Sequence, residues 1–66
     1  MPFTKRESEI LEYLALGWTS NRIAETLNIS KHTVDKHRRN MLKKAKAGNT
    51  VEMLNIFNAQ NNAKEY

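Results

Sequence analysis

Ile23-Ala24-Glu25-Thr26-Leu27-Asn28-Ile29-Ser30-Lys31-His32-Thr33-Val34 is the stretch that decides the fold of this chain. Ile23, Ala24 and Leu27 stand at i, i+1 and i+4, which puts them on one face of a short helix. Asn28 tolerates the backbone of a turn. Ser30 is a favoured first cap for a new helix, because its hydroxyl satisfies an otherwise unpaired amide. Val34 then opens a second apolar face. Two short amphipathic helices joined by about three residues make a helix-turn-helix. Ile29 is expected to plug the corner and set the angle between them.

Downstream, the third helix is expected from about Lys31 to about Lys46, with Gly48 as its breaker. Val34, Met41, Leu42 and Ala45 form its inner face, bordered by His37 and Arg38. The opposite face carries His32, Asp35, Lys36, Arg39 and Lys43, the pattern of a helix packed on one side and wet on the other. A fourth helix starts at Asn49, where Asn49 to Glu52 reads as a capping box. Val51, Leu54 and Phe57 form one apolar strip on it, and Met53 and Ile56 a second. Two strips on one helix argue that one of them faces a partner, with a core that takes up both as the alternative in so small a domain.

Upstream, Thr4-Lys5-Arg6-Glu7 is also a capping box. Ile10, Leu11 and Leu14 fall on one face of the first helix, and Gly17 is its natural stop. Phe3 is placed to close one end of the core. Thr19 caps the second helix. The fold class is therefore all-α, a four-helix helix-turn-helix domain over residues 3–58. Residues 59–66 form a polar tail without apolar periodicity, expected to fray.

The chain has 66 residues, room for one small domain that buries only about 60% of its unfolded surface. It has no cysteine, which excludes disulfides, thiol catalysis and cysteine-based zinc sites. His32 and His37 lie roughly 140° apart on a helix and make a poor metal pair. No metal or cofactor is expected, and no nucleophile stands beside a base, so the chain does not read as an enzyme. No apolar run approaches the ~20 residues of a membrane span and no signal peptide is visible, so a cytoplasmic protein is expected.

Charge is unevenly spread. Lys31, Lys36, Arg38, Arg39, Lys43, Lys44 and Lys46 face only Asp35 between Ser30 and Lys46, a local net charge of +6 within an overall +4. A basic stripe on one element is the footprint of a polyanion binder, although a solvated helix face gives the same composition. The helix-turn-helix presents such a helix to the major groove of duplex DNA, which is wide enough to admit it.

At these residues the chain resembles the LuxR-type helix-turn-helix domain. The resemblance is carried by Phe3-Thr4-Lys5-Arg6-Glu7-Ser8-Glu9-Ile10-Leu11, by Gly17-Trp18-Thr19-Ser20-Asn21-Arg22-Ile23-Ala24 and by Leu27-Asn28-Ile29-Ser30. Its most specific part is Thr33-Val34-Asp35-Lys36-His37-Arg38-Arg39-Asn40-Met41-Leu42-Lys43-Lys44. Asn49, Val51 and Glu52 fit the opening of that family's fourth helix. The match runs in register over about residues 3 to 57. It implies a bacterial transcription regulator that binds duplex DNA in a sequence-specific way. It also implies a homodimer joined through the fourth helix, with Val51, Met53, Leu54, Ile56 and Phe57 at the interface, and RNA polymerase as a further candidate partner.

Carried over by position, Asp35, Lys36 and Arg39 occupy the face that meets base edges. Ser30, Thr33, His37 and Lys43 lie where phosphate contacts are expected, and Lys31 is a further DNA-binding candidate. Three departures stand out. Asp35 replaces the usual lysine or other polar residue; it either accepts from cytosine N4 or pairs with Arg39 at i, i+4. Arg22 stands where glutamate is common, which breaks a capping box. Ala45-Lys46-Ala47 replaces leucine-glycine-valine, thinning the core there and leaving the third helix free to run on.

Two other readings use the same residues. A sigma-factor region-4-like domain has a related helix-turn-helix, but the histidine-arginine-asparagine run after the threonine-valine pair disfavours it. A protein-interaction module on this fold has Asp35 and the two strips of the fourth helix in its favour. Nothing in 66 residues senses a signal, so the chain is expected to be the output end of a longer regulator.

Overall fold

In a computed structural model, which describes residues 3–63 and the side chains of residues 3–58, the chain forms four helices. These are α1 (Lys5–Ala15), α2 (Ser20–Leu27), α3 (Lys31–Ala45) and α4 (Thr50–Ala63). There is no strand among the described residues. The all-α, four-helix fold expected from the sequence is the one observed.

Each helix begins where a side chain can take over an unpaired amide. Thr4 accepts from the Glu7 amide at 3.1 Å, and Glu7 accepts from the Thr4 amide at 2.9 Å, completing the capping box. Thr19 accepts from the Arg22 amide at 3.2 Å. Arg22 therefore costs α2 the returning half of its box and leaves the forward half in place. Ser30 accepts from the Thr33 amide at 3.0 Å and Asn49 Oδ1 from the Glu52 amide at 2.8 Å.

The first three helices end in one motif. The amides of Gly17, Asn28 and Lys46 donate to the carbonyls of Leu14, Glu25 and Lys43; the next amides, of Trp18, Ile29 and Ala47, reach back to Tyr13, Ala24 and Leu42. This paired return requires a left-handed residue just past the helix. Gly17 (φ 87°), Asn28 (φ 57°) and Lys46 (φ 56°) supply it. Glycine and asparagine adopt that region readily; lysine does so at a cost. The third helix consequently does not run on past Ala45, and its breaker is Lys46 rather than Gly48.

Ile10, Leu11, Leu14, Ile23, Ala24, Val34, Met41 and Met53 form the buried core. Helix α3 contacts all three others and α1 also contacts α4, so the basic helix is held from behind by the whole fold. Phe3, Ile29, Leu42 and Ala45 pack partly buried against this core. Met53, expected at a dimer interface, is fully buried in the core on the helix that packs against α1 and α3. Helix α4 continues to Ala63, past Asn58 where the tail was expected to begin. No glycine or proline occurs in that stretch to stop it. The rest of the expected tail, residues 64–66, lies outside the described residues.

Candidate nucleic-acid interface

The exposed side of α3 is built by its periodicity. At about 100° per residue, His32, Lys36, Arg39 and Lys43 fall within a sector of about 60°. All four are exposed. Val34 and Met41 lie on the far side, fully buried. Packing of the apolar face therefore aims the basic face at solvent.

The seven cations of this segment do not act alike. Three are tied to the protein. Lys31 Nζ lies 3.1 Å from Asp35 Oδ2. Arg38 donates to Ser20 Oγ at 2.5 Å and to Thr50 Oγ1 at 2.6 Å, and stands 4.0 Å from Asp35 Oδ1. Lys44 Nζ binds Glu7 Oε1 at 2.6 Å. Lys36, Arg39, Lys43 and Lys46 are exposed and enter none of the described ion pairs. Within this segment, these four are the unpaired cations offered to a polyanion.

The sequence-derived candidates are distributed accordingly. Lys36, Arg39 and Lys43 share the exposed sector. Ser30 is exposed at the start of α3, its hydroxyl 2.9 Å from that of Thr33. Thr33 flanks the sector on one side and Asp35 on the other. His37 is half-buried at the border of the core, off the exposed sector. Lys31 is turned to Asp35. Asp35 pairs within the helix, but with Lys31 and Arg38 rather than Arg39. The Lys31 hydrogen bond holds the Asp35 carboxyl below its ordinary range, burial opposes this, and Ser20 and the charges of Lys31 and Arg38 add to the lowering.

Two supporting roles escaped the sequence reading. Arg38 ties the middle of α3 to the first residues of α2 and α4, and Lys44 ties its end to the first turn of α1. Their partners lie 18, 12 and 37 positions away, so no local pattern points to them. A third local feature is the stack of Tyr13 on Trp18, with ring centroids 4.5 Å apart and an interplanar angle of 13°. The Arg22 guanidinium lies over the indole, 3.9 Å from its centroid. Tyr13 and Trp18 are the two residues brought together by the turn after α1.

Among the described residues, no group of three His, Cys, Asp or Glu side chains stands close enough to hold a metal ion. No described helix is long and apolar enough to cross a membrane.

Comparison with known proteins places these features in a family. The family described as "Bacterial regulatory proteins, luxR family" matches residues 1–57. Regulatory protein SdiA of Escherichia coli is 49% identical over 53 residues, covering 80% of this chain and 22% of SdiA. Transcriptional regulatory protein UhpA of Salmonella typhimurium is 44% identical over 52 residues, 79% of this chain and 26% of UhpA. Nitrate/nitrite response regulator protein NarP of Escherichia coli is 39% identical over 61 residues, 92% of this chain and 28% of NarP. The chain thus spans about a quarter of the length of these relatives.

Proposed function

Because the chain belongs to the luxR family of bacterial regulatory proteins, we propose that it binds duplex DNA sequence-specifically as the output domain of a cytoplasmic transcription regulator, with α3 in the major groove. The observation that carries this reading is the exposed sector of Lys36, Arg39 and Lys43 on a helix whose opposite face is locked into the core. Lysine and arginine supply affinity by displacing counterions from phosphates, and this term is insensitive to sequence. Selection comes from the groups that reach base edges from the first turns of α3. The work of this domain is binding; catalysis has no part in the reading.

A second copy is proposed to associate through α4. Val51 is 67% exposed in the first turn of that helix, with half-buried Leu54 one turn on and on the same side. Leu54 and Phe57 both pack against the core and Ile56 is half-buried, so the face offered to a partner centres on Val51. A dimer would read two half-sites about one helical turn apart. RNA polymerase is a further partner that this reading allows.

The test is fluorescence anisotropy of a labelled random-sequence duplex across salt concentrations. The four unpaired cations of α3 and its cap set an expected log–log salt slope of about −3 to −4 per copy where they alone meet phosphate. A Lys36→Ala/Arg39→Ala double variant should bind more weakly, with a slope shallower by about two units if both residues meet phosphate. Lost affinity at unchanged slope assigns them to bases. No binding by the folded wild type at low salt overturns the reading in favour of a protein-interaction module. Protection of a single half-site in a footprint, or an unchanged oligomeric state on DNA for Val51→Glu, overturns the dimer.

A further inference from the structure

Asp35 is the one acid in α3, on a helix whose exposed face is otherwise cationic. Its side chain keeps 36% of its surface accessible. Lys31 and Arg38 hold it, and both stand further from the exposed sector than Asp35 does: about 40° and 60° further round the helix, toward the core side. The carboxylate is thus gripped from behind. Arg38 cannot follow a ligand outward, because Ser20 and Thr50 fix it at 2.5 and 2.6 Å. Two cations beside one carboxylate also offset the repulsion that a lone acid would meet near phosphates.

We propose that Asp35 is a specificity-determining acceptor that selects cytosine in the duplex by accepting from the major-groove hydrogen of N4. The proposal rests on α3 entering the major groove. An ionised carboxylate only accepts hydrogen bonds. In that groove guanine offers N7 and O6 and thymine offers O4 and a methyl group, none of them a donor. Donors occur only on cytosine N4 and adenine N6. The adenine donor lies between two acceptors, its own N7 and the O4 of the paired thymine. The cytosine donor has an acceptor on one side and a C5–H on the other, so a carboxylate is repelled least there. The prior fixing of Asp35 means that little side-chain freedom is lost on contact.

Site selection from a random duplex pool, followed by one modified base, tests this. The wild-type chain should select cytosine at one position of its site. Asp35→Ala should select the same site with that position degenerate, and Asp35→Asn should shift it toward adenine, whose N6 and N7 an amide can serve together. Placing N4-methylcytosine at the position puts a methyl group where the groove-facing hydrogen was. Wild-type affinity should then fall about fivefold or more, and Asp35→Ala affinity should not change. Helix content by circular dichroism checks that each variant is folded. The proposal is overturned if both variants select the wild-type site unchanged, or if N4-methylation leaves wild-type binding intact. A structural role alone would weaken binding to all sequences equally, which also overturns it. Failure of the wild type to bind any duplex would overturn the major-groove reading itself, an outcome distinct from these.

Discussion

Lys44, in the last turn of α3, reaches Glu7, in the first turn of α1, with Nζ 2.6 Å from Oε1. Glu7 is also the returning half of the Thr4 capping box, so one buried carboxylate closes α1 and anchors α3. Burial alone would push its carboxyl up. The Lys44 hydrogen bond, the Thr4 amide and the Lys44 charge outweigh burial, and its pKa lies below the ordinary 4.5. Lys44→Ala should cost about 1–2 kcal/mol, since it leaves a buried charged acceptor with one partner fewer; urea denaturation measures it.

The same depressed carboxyl predicts a pH dependence. A group that is more acidic folded than unfolded contributes stability that is complete above its ordinary value and is lost as pH falls through its folded one. Stability should therefore decline on acidification below about pH 4.5, with Asp35 adding the same sign from its ordinary 3.8 downward. Glu7→Gln should flatten the curve, leaving the Asp35 contribution. A decline of wild-type steepness in Glu7→Gln would remove Glu7 as its source.

Arg38 satisfies the buried hydroxyl of Ser20 as well as that of Thr50. Removing it takes the donor from both hydroxyls and frees both helix starts. Arg38→Ala should cost about 1.5–3 kcal/mol, the range for hydrogen bonds to a charged group. Arg38→Lys should recover only part, because one ammonium lacks the fork that spans both hydroxyls. Thermal unfolding of the three proteins ranks them; equal midpoints would contradict the bridge.

Lys46 holds a left-handed conformation that its side chain disfavours. Lys46→Gly should stabilise the domain by up to about 1 kcal/mol, the relief of strain exceeding the added freedom of the unfolded chain. For a domain of this size that is a rise in melting temperature of about 4–8 °C per kcal/mol. A lower melting temperature would show that Lys46 makes a contribution greater than its strain.

The indole of Trp18 meets both the Tyr13 ring and the Arg22 guanidinium, and it is the chain's one tryptophan. Arg22→Ala should change its fluorescence and cost about 0.5–1 kcal/mol, as for an exposed cation–π contact. Unchanged emission would mean that Arg22 does not cover the ring in solution.

The sequence by itself determined where the helices begin and two of the three described turns that end them. Thr4, Thr19, Ser30 and Asn49 act on amides three residues on, and Gly17 and Asn28 take the left-handed turns; these effects stay within reach of one chain segment. The periodicity of α3 likewise separated Val34 and Met41 from Lys36, Arg39 and Lys43. Tertiary structure alone decided which cations remain available, because Arg38 and Lys44 find partners across helix contacts that no spacing encodes. It also turned Met53 inward, since two apolar strips on α4 are equivalent until α1 and α3 cover one of them. It made a stop of Lys46 as well, where no residue preference announced one. The physical division is range: capping and helix periodicity are short-range properties of the backbone, whereas ion pairing and burial depend on which surfaces meet.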